Sequence, residues 1–502
     1  MAWHHPPMLR PLLVLLLLIG LPRACWAQAE EQWFRVLLDG RAIGHMHSLR
    51  EVADERVHSR VRMALVLRRG NELLSVKTDE AAVETPHGAP LEFDSVLEVS
   101  GSRSSVSGTV DADGTVRAEV HLAGKTHTRE LRWPPGALLS EGQRLALLAQ
   151  GWTPGPRPTL LSFDVASLSA LPLATEVLGE ETVELNGRTE RLIRVRQTMS
   201  QQGSTLETTS WLEPANAQPR RLRMPALGLI LEVAACDGRC DAAPAEPTDV
   251  LAATLLPSPR VLGVDERLSP LRYRLRLAGA SPDALSAVPG QYLSAQGSPA
   301  TELVVDPAGA ALPAPTANDL AAARWLQVDD PKLQQLARDA VGRQRQPARR
   351  MALLERFVRE HISTKSLRIG YASASEVIDL REGDCTEHAV LLAALARALG
   401  IPARVANGLA YTPGFNGQRD VFVPHAWVMA FVDGRWQGYD AALPRFDAGH
   451  IAFTVGDGDP LTFYAGVELL GRLRIEAIEP VRARDWRRER AALVRAEGRT
   501  AP

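Results

Sequence analysis

Three residues carry the chemistry this sequence could do: Cys385 in REGDC, His425 in PHAW and Asp440 in WQGYD. A thiol, an imidazole and a carboxylate in that order are the parts of an acyl-transfer site. The thiolate attacks a carbonyl, the imidazole moves the proton and the carboxylate holds the imidazole. Two other uses of these residues compete. Cys385 and His388 lie three apart and, with His425, approach a zinc set that Asp440 or His450 could complete. The chain has no CxxC pair and no HExxH string, however, so neither a metal nor a cofactor is expected. The other rival is a non-catalytic binding or scaffold protein of the cell envelope, and the retention of all three side chains favours an enzyme.

The elements that must position these groups are legible nearby. Asp384 followed three residues later by Glu387 reads as a capping box that opens a helix with Cys385 at its first position, and Gly400 with Pro402 ends it. Cys385, Ala389, Leu392, Ala396 and Leu399 recur at helical spacing, which predicts a core-facing stripe with the thiol at its top. The helix N-terminus favours a thiolate and offers backbone N–H groups to an oxyanion. Further on, His425, Trp427, Met429 and Phe431 alternate with Ala426, Val428, Ala430 and Val432 as a strand does, and Asp433-Gly434 is hairpin-turn chemistry. A two-residue turn sets Val432 opposite Arg435 and Asp440 opposite Trp427. Asp440 then shares a face with His425 at roughly 7 Å between backbones. A three-residue turn would put them on opposite faces.

The string GDC before a helix ending in ALGIPARV, then HAW on a strand and WxxYD on the next, resembles the transglutaminase-like superfamily of papain-type cysteine enzymes. The resemblance implies an α+β catalytic domain over about 320–480. It makes Cys385 the nucleophile, His425 the general base and acid, and Asp440 the residue that orients the histidine. It also implies an amide of a protein, peptide or envelope polymer as substrate, cleaved or transferred through a thioester. Ala441 stands where such patterns often have Pro. No motif anchors the upstream oxyanion side chain, for which Trp325 and Tyr371 are the nearest aromatics.

The rest of the chain sets the context. Residues 1–27 read as a secretory signal peptide: Arg10, an apolar run from Leu12 to Leu21, then Cys25-Trp26-Ala27. Arg23 fits a lipobox poorly, and the run is too short for a comfortable membrane span, so an exported location, periplasmic or extracellular, is expected. Cys236 and Cys240 could form a local disulfide in such a compartment, which leaves Cys385 the odd thiol. A chain of 502 residues, 45% hydrophobic and 23% charged, supports several cores, and its net charge of −2 gives no reason to expect nucleic acid. Strand-like runs punctuated by Gly, Asn and Pro over 28–245 predict an all-β antiparallel region, a half-barrel or sandwich. AAPAEPTD at 242–249 reads as a linker, 250–319 as a small β unit and linker, and the Arg-rich 481–502 as a solvated terminal helix or tail.

Overall fold

The computed structural model describes residues 28–491 apart from 71, 123–124, 202–203, 227–228, 245, 278–284, 286–287, 297–300, 367–371, 460–471 and 483. Residues 1–27, read above as a signal peptide, Tyr371 and the last residues of the Arg-rich tail lie outside the described residues. The chain is an N-terminal antiparallel β region followed by an α+β domain, in agreement with the sequence.

Eight strands from Gln28–Leu38 to Lys125–Arg132 pair each with the next. The free edge of Gln28–Leu38 takes Leu229–Ala235, and a second meander runs back from there to Ser169–Leu185. Short turns make this possible: Asp39-Gly40, Asp54-Glu55 and Asn186-Gly187 all hold the positive φ that two-residue hairpins demand. The result is one curled sheet rather than two stacked ones. Phe163, Ala137 and Leu139 fold back onto Phe93, Val106, Val116 and Ala118. The helix Ser140–Gln150 lies in the curve, tied by Glu141 to Arg50 and packed through Leu147 on Val177, Ile193 and Val195.

A smaller sheet has Leu271–Leu277 flanked by Thr301–Val305 and Leu473–Pro480, with Gln291–Gln296 beyond. Its remaining strand, Leu473–Pro480, follows the Cys385, His425 and Asp440 motifs, so the unit read at 250–319 is completed by a later segment of the chain. In the Arg-rich tail, residues 484–491 are helical and mostly exposed, and the helix is docked through its one buried side chain. Trp486 is buried and its indole N–H donates to Asp306 at 2.7 Å.

The α+β domain places the helices Pro331–Val341, Pro347–His361 and Ala374–Leu380 around the helix Cys385–Ala398. That helix packs on the antiparallel strands Ala403–Phe415 and Gln418–Val432. Arg435–Tyr439 and Leu256–Pro257 share the outer edge of Gln418–Val432, and His450–Gly456 lies beyond Ala403–Phe415. The one-sided stripe expected for the Cys385 helix is corrected here: every residue from Thr386 to Arg397 is buried. Its run AVLLAALARALG is apolar all round, which suits a central helix rather than a surface one. No helix among the described residues is long and apolar enough to cross a membrane.

Candidate functional site

The tip of the Cys385 helix is built as its sequence dictates. Asp384 is the N-cap: Oδ1 accepts the Thr386 N–H at 2.8 Å, and Glu387 accepts the Asp384 N–H at 2.9 Å in return. Glu387 also accepts the Ala372 N–H at 3.0 Å and is fully enclosed; burial first, and the neighbouring Asp384 charge second, raise its pKa well above the usual carboxylate range. The Gly in REGDC has a steric reason, because a Cβ on Gly383 would lie 2.4 Å from the Glu387 side chain. Cys385 is partly exposed at the first helical position and is the free cysteine among the described residues, while Cys236 and Cys240 are disulfide-bonded. His388 Nδ1 is turned back onto the Asp384 carbonyl at 2.5 Å.

The hairpin has the two-residue turn. Val432 faces Arg435 and the pairing runs without a slip to Val428 opposite Tyr439, so Asp440 follows on the face of His425. His425 Nε2 donates to Asp440 Oδ2 at 2.8 Å, and both side chains are buried. Asp440 is held on every side. Oδ1 accepts the N–H groups of Ala442 and Leu443, both at 2.8 Å, and its own N–H reaches Glu355 at 3.2 Å. Arg359 donates to the carbonyls of Asp440 at 2.8 Å and Leu443 at 2.9 Å. Burial alone would lower the His425 pKa; the Asp440 carboxylate and the nearby Cys385 side chain overcome it and push it up to about 10. Asp440 is held well below the carboxylate range against its own burial by the two histidines it binds.

The second of those histidines is His450, which sequence reasoning had placed only as a conceivable zinc ligand. Its Nε2 donates to the same Asp440 Oδ2 at 3.0 Å, and its Nδ1 meets the Asp447 carbonyl at 3.1 Å. Asp447 in turn binds Arg267 at 2.5 Å. Burial opposes protonation of His450, but hydrogen bonds to Asp440 and Asp447 prevail and raise its pKa to about 9. The ligand atoms of His425, Asp440 and His450 lie within 4.8 Å of one another, a donor set that a cation could use. Trp325 is buried with the Arg324 guanidinium over its ring, 5.3 Å from the centroid.

A second residue that sequence reasoning missed comes from the N-terminal sheet: Arg69 Nη2 donates to Asp384 Oδ2 at 3.0 Å. No local pattern joins residues 315 apart. What the arrangement can do chemically follows from which nitrogens are free. His425 Nε2 is committed to Asp440, which leaves Nδ1 for the thiol. Thr386 N–H is committed to Asp384, which leaves the Cys385 N–H as the helix-end donor for an oxyanion.

None of the curated proteins matches this chain. Solved structures that align with it include a candidate cysteine protease from Cytophaga hutchinsonii, 18% identical, covering 43% of this chain and 82% of that one with a TM-score of 0.28. A β-barrel-like protein of a domain of unknown function from Brucella abortus is 12% identical, covering 41% and 94% with a TM-score of 0.33. A candidate protease from Parabacteroides distasonis is 11% identical, covering 71% and 69% with a TM-score of 0.18. Residues 334–441 match the model of the transglutaminase-like superfamily, a span that contains Cys385, His425 and Asp440. This chain carries a transglutaminase-like domain.

Proposed function

We propose that this protein is an exported cysteine enzyme that acts on an amide of a protein, peptide or cell-envelope polymer through a thioester on Cys385. The observation that carries the reading is the buried His425–Asp440 hydrogen bond of 2.8 Å beside a partly exposed thiol at a helix tip. His425 takes the Cys385 proton through Nδ1, and the thiolate attacks the carbonyl carbon. The oxyanion is met by the Cys385 N–H, the C–N bond breaks, and the proton held on His425 leaves with the amine. Asp440 keeps the ring oriented and stabilises the imidazolium. His425 then removes a proton from the incoming nucleophile as it attacks the thioester carbon; the C–S bond breaks, the acyl group leaves on the nucleophile, and the proton returns from His425 to the Cys385 sulfur. Water gives hydrolysis and an amine gives a crosslink; we favour water.

Intact-mass measurement after incubation with peptide and envelope extracts tests the proposal. The expected result is an acyl adduct on Cys385, lost on treatment with hydroxylamine and absent from Cys385→Ala. Turnover retained by Cys385→Ala would sink the mechanism.

A further inference from the structure

The N-terminal sheet does more than precede the catalytic domain, because one of its hairpins ends at the Cys385 helix. Strands Arg56–Arg69 and Glu72–Glu84 pair out to Arg69 opposite Glu72, which puts Arg69 and Gly70 at the hairpin tip. At this tip Arg69 reaches Asp384, whose other carboxylate oxygen caps the helix through Thr386. Arg69 has 23% of its side chain exposed and Asp384 9%, so the pair is only weakly screened by solvent.

The hairpin is held there by its own connections. Gly70 N–H donates to Asp249 Oδ1 at 3.2 Å, and the same oxygen caps the helix Val250–Thr254 through the Leu251 N–H. Thr248 and Asp249 pair in parallel with Leu67 and Arg68. A few residues later Leu256 and Pro257 pair with Phe422 and Val421 on the strand that bears His425. The segment read as a linker therefore clamps the hairpin tip to the catalytic sheet. A Cβ placed on Gly70 would lie 3.5 Å from Asn416, at the far turn of that sheet.

We propose that Arg69 is a positioning residue of the Cys385 site, supplied by the N-terminal sheet: through Asp384 it fixes the helix tip and sets a positive charge beside the thiol. The inference rests on Cys385 being the nucleophile. Among the described residues, the charged and titratable groups around the thiol include Asp384, Glu387 and His388 at the tip of its own helix, His425 with Asp440 from the hairpin, Arg69, and Lys365, which acts on His388. Asp384 is the carboxylate next to the thiol that Arg69 pairs with, at 3.0 Å, while burial raises the pKa of Glu387. Without Arg69 an anionic sulfur would face an uncompensated carboxylate.

Charge at the thiol can be separated from packing by alkylating Cys385 with a neutral and an anionic reagent. Rates with iodoacetamide and iodoacetate are measured on the full chain by mass spectrometry of the Cys385 peptide, for wild type, Arg69→Gln and Arg69→Lys. Arg69→Gln is expected to lower the iodoacetate-to-iodoacetamide ratio roughly three- to tenfold, the size of one unit charge a few ångströms away in partly exposed surroundings. Arg69→Lys should keep the ratio within about twofold, and salt near 1 M should shrink the wild-type ratio toward that of Arg69→Gln. An unchanged ratio in a folded Arg69→Gln protein overturns the proposal, as does an equal fall in both rates, which packing alone would give. If Arg69→Gln does not fold, a wild-type ratio indifferent to salt overturns it. A wild-type Cys385 no faster than glutathione toward iodoacetamide removes the nucleophile reading and this proposal with it. A fast wild type with an unchanged ratio removes only the role of Arg69.

Discussion

Asp440→Asn keeps the shape of the side chain and removes the charge that two buried imidazoles share. In the wild type His425 is raised from 6.5 to about 10 and His450 from 6.5 to about 9. A group whose pKa rises on folding adds stability that is fully present below its unfolded value and is lost as pH rises through its folded value. At about 1.4 kcal/mol per pH unit, the His425 shift alone corresponds to on the order of 4–5 kcal/mol. Both rings draw on the same carboxylate oxygen, so their gains do not add, and about 3–5 kcal/mol is expected for the whole cluster, the usual cost of breaking a buried ion pair. Asp440 has the opposite sign: its depressed pKa adds stability above about pH 4 that is lost only in stronger acid.

The stability gap between wild type and Asp440→Asn should therefore be widest between about pH 4.5 and 6.5 and close as pH rises through about 9 to 10. Urea unfolding of both proteins at about pH 5.5, 7.5 and 10 measures it, with equal slopes required for comparison. A gap that does not change with pH, or one that widens toward pH 10, would refute the shared-carboxylate account. Activity should fall by at least about a hundredfold, because the asparagine leaves the imidazolium without its counter-charge.

Cys385→Ala should abolish turnover while its melting temperature stays within a few degrees of wild type, since a partly exposed small side chain is replaced by a smaller one; scanning calorimetry checks it. Gly408→Ala should cost about 3 kcal/mol or more and lower activity, because the new Cβ would sit 2.0 Å from the Ile451 carbonyl oxygen, beside His450 and opposite His425; thermal denaturation reads the loss. Replacing Cys236 and Cys240 by Ser should cost at most about 2 kcal/mol, because the bridge closes a loop with a sequence separation of only 4. It should also leave the iodoacetamide rate of Cys385 unchanged.

The parts of the site that the sequence displays are those set by local rules. Asp384 and Glu387 mark the helix start because a capping box is satisfied within four residues, and Gly400 marks the end because it takes a φ of +73° that other residues resist. Asp433-Gly434 fixes the hairpin register, and register alone brings Asp440 to His425. His450 obeys no such rule. It follows Asp440 by ten residues of irregular chain and returns only because His450–Gly456 pairs with the far edge of Ala403–Phe415. The Leu473–Pro480 strand and the docking of Trp486 were hidden for the same reason, since both depend on partners some 180–200 residues earlier. The N-terminal sheet was readable as strands, turns and a half-barrel or sandwich, but not the pairing of Phe163 with Phe93, which lie 70 residues apart with ring centroids at 5.5 Å.

Arg69 and His450 differ in kind from the three motif residues, and together they explain how a thiol and an imidazole from separate segments are kept in register. Asp384 caps the helix but belongs to it, so a tie to another element is needed to relate the tip to the rest of the protein. Arg69 anchors the tip to a sheet with its own core around Phe34, Val36, Leu65 and Leu67. The histidine side has the corresponding problem: Asp440 lies just past the end of its strand and would swing with the loop. His450 and Arg359 pin it from two directions, and His450 is itself anchored through Asp447 to Arg267, in the segment that leads into the small sheet. The distance between sulfur and imidazole is thus set by two anchors outside residues 334–441, Arg69 and His450. A fragment cut to that match would retain Cys385, His425 and Asp440 and lose both.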